Sequence, residues 1–182
     1  MASAAEILLK LWQGSGTRLT DRLAGVSDTE FFWEPVPGCW TLRTQPGLEG
    51  RLNIDYELPE PLPTPFTTIA WRLAHLANGN WVYWEHAFGS GELTFPDLDV
   101  PGTAAGVTEY WWRSREPVSV WLQHASDADL DQLRGSHIGD PIPAAEVVMI
   151  LINEEIHHGA EIGVLRDLWR CSTVNSPFDS PC

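Results

Sequence analysis

Positive charge is scarce in this chain: 11 Lys and Arg stand against 25 Asp and Glu, a formal net charge of −14. A protein that grips a phosphate polyanion needs clustered cations to displace counterions. No run of Lys or Arg supplies them, so nucleic-acid binding is excluded as an expectation, and docking on an anionic membrane surface falls for the same reason. The acidity is read as a solubility device. Long apolar runs are also missing. The longest aliphatic stretch, Val147 to Ile152, is far too short to span a bilayer. The opening MASAAEILLKLWQ has no charged leader, unbroken apolar core or small-residue cleavage site. A cytoplasmic location is the expectation. Cysteine is sparse: Cys39, Cys171 and Cys182 are widely spaced, form no paired-Cys metal signature and read as free thiols in a reducing compartment. There is no internal repeat.

What is present is the balance of a globular chain, with 43% apolar and 20% charged residues, and 182 residues suit one domain over 1–182. The 10 tryptophans are expected mostly to fill the core, with several lining a cavity or its rim. Prolines 35, 37, 46, 59, 61, 63 and 65 crowd one stretch and forbid a continuous helix there. That long loop, with Trp33, Trp40 and Tyr56 in or beside it, is expected to pack over one end of the fold.

Helical patterns surround it. The first covers Ala4 to Ala24, with Ile7, Leu8, Leu11, Trp12, Leu19 and Leu23 as its apolar face and Gly14-Ser15-Gly16 as an interruption. A short turn follows at Asp28 to Trp33. The second helix opens at Thr67 or Thr68 and stops at Gly89. The third spans Ala104 to His124, with a further piece at Ala128 to Leu133, and the fourth begins after Pro141-Ile142-Pro143 and reaches about Trp169. No alternating strand of useful length is visible. The fold class is therefore all-α, a four-helix bundle with a long Pro-rich loop between its first two helices.

On the fourth helix, steps of four and three collect Val147, Leu151, Glu154, His158, Glu161, Leu165 and Leu168 on one stripe. Its apolar ends should face the core, so the carboxylates and imidazole in the middle need partners or a metal. Glu154 and His158 are four apart and can converge on one ion. His75 on the second helix completes two imidazoles and a carboxylate, a facial set suited to Zn(II), Ni(II) or Fe(II). Each residue has a plainer role open to it: His75 as a hydrogen-bonded structural histidine, Glu154 as the ion-pair partner of Arg72. His157 could replace His158 or support a ligand, and Glu161 is preferred as an acceptor orienting a histidine. His86, His124 and His137 are read as surface residues. A homodimer is compatible with the tryptophan content.

The segments FFWEPVPGCWTLR (31–43), PFTTIAWRLAHLANGNWVYWEHAFG (65–89) and EEIHHGAEIGVLRDLW (154–169) resemble the DinB-like superfamily, in its actinomycete branch. The resemblance implies a four-helix bundle with an up-down-down-up path and a divalent metal. In that superfamily the ligands are usually three histidines, one on the second helix and two spaced four apart on the last. By motif these positions are His75, Glu154 and His158, so a glutamate stands where one histidine is usual. Members of known activity use low-molecular-weight thiols such as mycothiol or bacillithiol. The resemblance therefore implies a thiol cosubstrate, with Trp33, Trp40, Trp71 and Arg72 shaping a pocket for a small electrophile. A metal-free binding or structural bundle, and a metal-assisted hydrolase or isomerase, are the alternatives.

Overall fold

The computed structural model describes residues 2–44, 46–47 and 51–174. It is mostly helical, with helices α1 (Ala4–Leu23), α2 (Asp28–Phe31), α3 (Ile69–Phe88), α4 (Ala104–Ser114), α5 (Glu116–His124), α6 (Asp127–Leu130) and α7 (Ala144–Val174). No helix among the described residues is long and apolar enough to cross a membrane.

Local chemistry sets most boundaries. Ser3 and Glu6 form a reciprocal capping box that starts α1. Thr68 caps α3 by accepting from the Trp71 amide at 3.1 Å, and Gly89 ends it. Pro117 lacks the amide that a continuing helix needs, so the expected third helix is two: α4 stops at Ser114, and α5 restarts after Arg115. By contrast, Gly14-Ser15-Gly16 does not interrupt α1. A Cβ on Gly16 would overlap the Arg115 guanidinium, so glycine is what that approach requires.

Strands do occur, contrary to the expectation of none. Leu42–Thr44 (β1) pairs with Leu52–Ile54 (β2), and Leu133–Ser136 (β3) with Gly139–Pro143 (β4), both antiparallel. Three to five residues per strand is too short to leave a periodic trace in sequence. The first hairpin lies inside the proline-rich stretch and is tied to α3, where Asn78 Nδ2 donates to Asn53 Oδ1 at 3.0 Å and Trp71 Nε1 to the Asp55 carbonyl at 2.8 Å. The β3–β4 hairpin also lies against α3. Gly135 sits directly on the His86 carbonyl, where any Cβ would collide.

Side-chain contacts give the helix directions. Ser15 meets Glu155 and Leu19 meets Gly159, so α1 and α7 run the same way. Arg72 meets Glu161 while His75 meets Glu154, so α3 runs against α7. Two apolar clusters fill the interior, one around Phe31, Leu73, Trp111 and Ile162, the other around Trp12, Val118, Leu122 and Val148.

A polar layer separates the two clusters along the helices. Arg115 pairs with Glu155, lies over the Trp12 ring at 3.9 Å, and donates to the Trp12 carbonyl; Ser15 Oγ donates to Glu155 Oε1 at 2.5 Å. A second buried pair closes the end of α1. Arg166 grips Glu30 through Nε at 2.6 Å and Nη2 at 3.1 Å, and donates to the Arg22 and Ala24 carbonyls that α1 leaves free.

Some positions expected in the core are at the surface: Ile7 is 50% exposed, Leu11 45% and Leu168 46%. The inward face of α1 is narrower than its apolar stripe, being carried by Ala5, Trp12, Ser15, Gly16, Leu19 and Leu23. Cys39 is a free, buried thiol, whereas Cys171 is disulfide-bonded, correcting the expectation that it is free. Cys182 lies outside the described residues.

Candidate metal centre

Two turns into α3, His75 is half-buried and stacked against Trp71, ring centroids 4.9 Å apart and planes 7° from parallel. The Thr68 cap fixes where α3 begins and so the face on which His75 emerges. Opposite it, α7 presents Glu154 and, one turn on, His158, whose side chain is 12% exposed. His75 Nε2 lies 3.4 Å from Glu154 Oε2, and His158 Nε2 lies 3.3 Å from the same oxygen. All three donor atoms fall within 4.8 Å of one another.

That spacing has a chemical meaning. Ligands about 2.1 Å from a tetrahedral zinc stand about 3.4 Å from each other. The two measured His–Glu separations match this, so the donor set fits a divalent ion.

Support for the set comes from Arg72 and Glu161. His158 Nδ1 lies 2.6 Å from Glu161 Oε2 and 3.0 Å from Arg72 Nη1. Arginine only donates, so Nδ1 cannot satisfy both neighbours. The short carboxylate contact assigns the proton to Nδ1, and Arg72 spends its N–H on Glu161, to which it is paired. In the neutral ring His158 Nε2 is thereby left free to offer its lone pair to a cation beside Glu154. A histidine held by a carboxylate on its far nitrogen is the usual orientation of a metal ligand.

The electrostatics agree. Without a cation, a proton on each facing ring nitrogen, that of His158 first and then that of His75, hydrogen-bonds the Glu154 carboxylate and holds it far below the usual carboxylate range; a cation takes the place of those protons. Burial pushes the His75 imidazole below its ordinary value, outweighing Glu154, which acts the other way. Glu161 is also lowered: burial opposes its charge, but His158 and Arg72 together prevail. The result is an ionised carboxylate facing a His75 imidazole biased toward neutrality, states that suit a cation.

Beside His75 opens a cavity of about 700 Å³, walled by Ile54, Tyr56, Phe95 and Pro96 and reaching Tyr83 and His137 at its far side. Glu85 secures this wall. Its carboxylate accepts from the Ser90, Gly91 and Leu93 amides and the Ser90 hydroxyl, which depresses its pKa to about 2.

The structure brings together His75, Glu154, His158 and Glu161, with Arg72 behind them. Trp71 and Trp40 stack in series next to His75, centroids 6.0 Å apart. Trp33 does not join them. It packs edge-on against Trp169, 5.5 Å away, because it follows α2 on the flank of α7; none of Trp33, Trp40, Trp71 and Arg72, expected from sequence to shape the pocket, lines this cavity. His157 is 58% exposed and reaches Glu161 Oε1 at 3.3 Å; with His158 and Glu161 it forms a second possible cluster. That cluster would need His158 Nδ1, which Glu161 already engages, and it does not border the cavity. Arg72 pairs with Glu161 and not with Glu154, the partner considered from sequence.

Sequence reasoning missed Tyr83, Phe95 and His137. His137 is not a free surface residue but half-buried in the hairpin turn, its ring 5.6 Å from Tyr83 and 5.5 Å from Phe95. The signal was present in Gly135-Ser136-His137-Ile138-Gly139, where glycines bracket a tight turn.

Residues 11–162 match the family model of the DinB superfamily. The chain belongs to that superfamily. Its fold is similar to that of a DinB-like protein from Bacillus cereus, with a TM-score of 0.61 and 18% identity over 90% of this chain and 91% of that one. A conserved protein from Enterococcus faecalis is also similar, at a TM-score of 0.54 and 12% identity, covering 92% and 98% of the two chains. At such identities the DinB likeness is one of fold. No match is found among curated proteins.

Proposed function

We propose that this DinB-superfamily chain is a metal-dependent enzyme that joins a low-molecular-weight thiol to a small electrophile. α1, α3, the α4–α5 pair and α7 serve as the four members of an up-down-down-up bundle. His75, Glu154 and His158 hold one Zn(II), Ni(II) or Fe(II) ion between α3 and α7. The observation that carries this reading is the convergence of two imidazole nitrogens and one carboxylate oxygen at ligand-to-ligand spacing beside a cavity. A divalent cation there lowers the pKa of a bound thiol and supplies thiolate at neutral pH.

The chain's own residues do the rest. Glu161 keeps the His158 proton on Nδ1, and Arg72 anchors Glu161. Trp71 and Trp40 hold the His75 ring in place, and the aromatic cavity wall excludes water from the electrophile. The sulfur forms a bond to the electrophilic carbon, whose leaving group departs with the electron pair. A metal-free structural bundle would be favoured by a Glu154–Arg72 pair, and Arg72 is committed elsewhere.

The purified chain, reconstituted at neutral pH, is expected to retain about one divalent ion per molecule by elemental analysis. The loaded protein should then accelerate thioether formation between mycothiol and chlorodinitrobenzene, with release of chloride. Failure to retain any of the three metals rejects the reading. Metal retention without thiol dependence would favour metal-assisted hydrolysis or isomerisation instead.

A further inference from the structure

The cavity beside His75 has two polar ends and an apolar middle. One end is the cluster already described. At the other, Tyr83 and His137 face the same space, and neither has a hydrogen-bond partner among the described residues. Their position is built into the fold. The collision-tight seat of Gly135 on the His86 carbonyl lays the hairpin on α3, and the two-residue turn swings His137 over Tyr83 and against His86, at 5.0 Å between rings. His86 is itself occupied, Nε2 lying 3.0 Å from the Leu93 carbonyl.

Of the remaining polar lining, Asn53 and Thr94 are spoken for, and the Tyr56 hydroxyl stands at the exposed rim. Asn53 donates to the Phe95 and Leu98 carbonyls at 2.7 and 3.1 Å, and Thr94 donates to Asp97 at 2.5 Å. Among the described residues that line the cavity, none is Lys, Arg, Asp or Glu. Among the lining residues, Tyr56, Leu58 and Ile138 are 64%, 77% and 62% exposed, so the rim is largely apolar surface left to water. An anionic ligand would lose its hydration there and gain no counter-charge from the lining, and a cationic one would meet, behind His75, a Glu154 carboxylate that His75 and His158 already engage. An apolar ligand covers the rim and leaves two hydrogen-bonding groups to orient it.

We propose that this cavity takes a neutral, predominantly apolar molecule whose one polar oxygen is held between the Tyr83 hydroxyl and the His137 imidazole. The inference extends the enzyme reading by naming the electrophile's class, and it assigns Tyr83 and His137 as substrate-positioning residues. It rests on that reading only for the reaction. The binding itself is independent of any cation.

The test uses three probes of one shape, benzylacetone, hydrocinnamate and phenethylamine, titrated by calorimetry into the full-length protein stripped of metal by chelator. A carboxylate then gains nothing from a bound cation. The ketone is expected to bind at least about tenfold more tightly than either ion. Tyr83→Phe and His137→Phe should each weaken the ketone about fivefold to tenfold, the loss of one hydrogen bond, with unchanged melting and unchanged metal uptake. Ile138→Lys, a change at an exposed rim position, should raise affinity for hydrocinnamate severalfold while leaving the fold intact. Equal or tighter binding of either ion, no binding of the ketone, or unchanged ketone affinity in both variants overturns the proposal. Loss of metal uptake alone would reject the enzyme reading and leave this one standing; loss of selectivity alone would do the reverse.

Discussion

Replacing His158 with alanine is expected to weaken divalent-cation binding by about a hundredfold or more and to abolish thiol transfer. Changes in the groups that merely support a ligand cost 10- to 100-fold, so loss of a ligand should cost at least the upper figure. His158 lends Nε2 to the cluster and donates its Nδ1 proton in a hydrogen bond to Glu161, so the substitution removes a ligand and its orienting bond together. Arg72 and Glu161 remain paired with each other, so no buried charge is stranded and the fold should persist. His157→Ala is the informative companion. That imidazole is 58% exposed and reaches Glu161 rather than the three-residue cluster, and its removal should change affinity little. Competition against a chromogenic chelator measures both. Equal losses from the two variants would shift the site to the outer cluster of His157, His158 and Glu161.

Glu155→Ala should cost about 3–5 kcal/mol of folding stability, the usual consequence of stranding one member of a buried ion pair. The Glu155 side chain is 1% exposed and that of Arg115 5%. Burial acts first on both, raising the Glu155 carboxyl and lowering the Arg115 guanidinium, so each ion depends on the other for its charge. With Glu155 gone, Arg115 keeps its contacts to the Trp12 carbonyl and ring but loses its counter-ion. For a chain of this length the melting temperature should fall by roughly 10 °C. The double variant Glu155→Leu with Arg115→Met removes both charges and should recover most of the loss. A Glu155→Ala variant that melts with the parent would mean that the polar layer is hydrated in solution.

These two residues show how far sequence carries. Stepping by four and three along the last helix isolates Glu154, His158 and Glu161, because ionisable groups between Leu151 and Leu165 are conspicuous. The neighbouring stripe of Val148, Ile152, Glu155, Ile162 and Arg166 is just as buried, facing α1, α2 and the α4–α5 junction where the first faces α3. A single stripe gives no notice that a helix is covered on two sides, and the partners of Glu155 and Arg166 are 40 and 136 residues away. Helix ends were legible where a cap or a glycine stood, as at Thr68 and Gly89. The break at Pro117 was written in the sequence too. His137 escaped because a polar residue in a turn looks solvent-facing until the turn is seated on α3, and Gly135 governs that seating only through a contact with His86. Trp33 was misplaced for the converse reason: an aromatic beside the proline-rich stretch need not follow it to the cavity, and Trp169 offered a nearer surface.

Diffraction from crystals grown with Zn(II), recorded on both sides of the zinc absorption edge, tests the central claim most directly. The account predicts one anomalous peak between α3 and α7, about 2.0–2.2 Å from His75 Nε2, Glu154 and His158 Nε2, at the edge of the aromatic cavity. A peak on His157 and Glu161, or no peak with His75 turned away from Glu154, would contradict it.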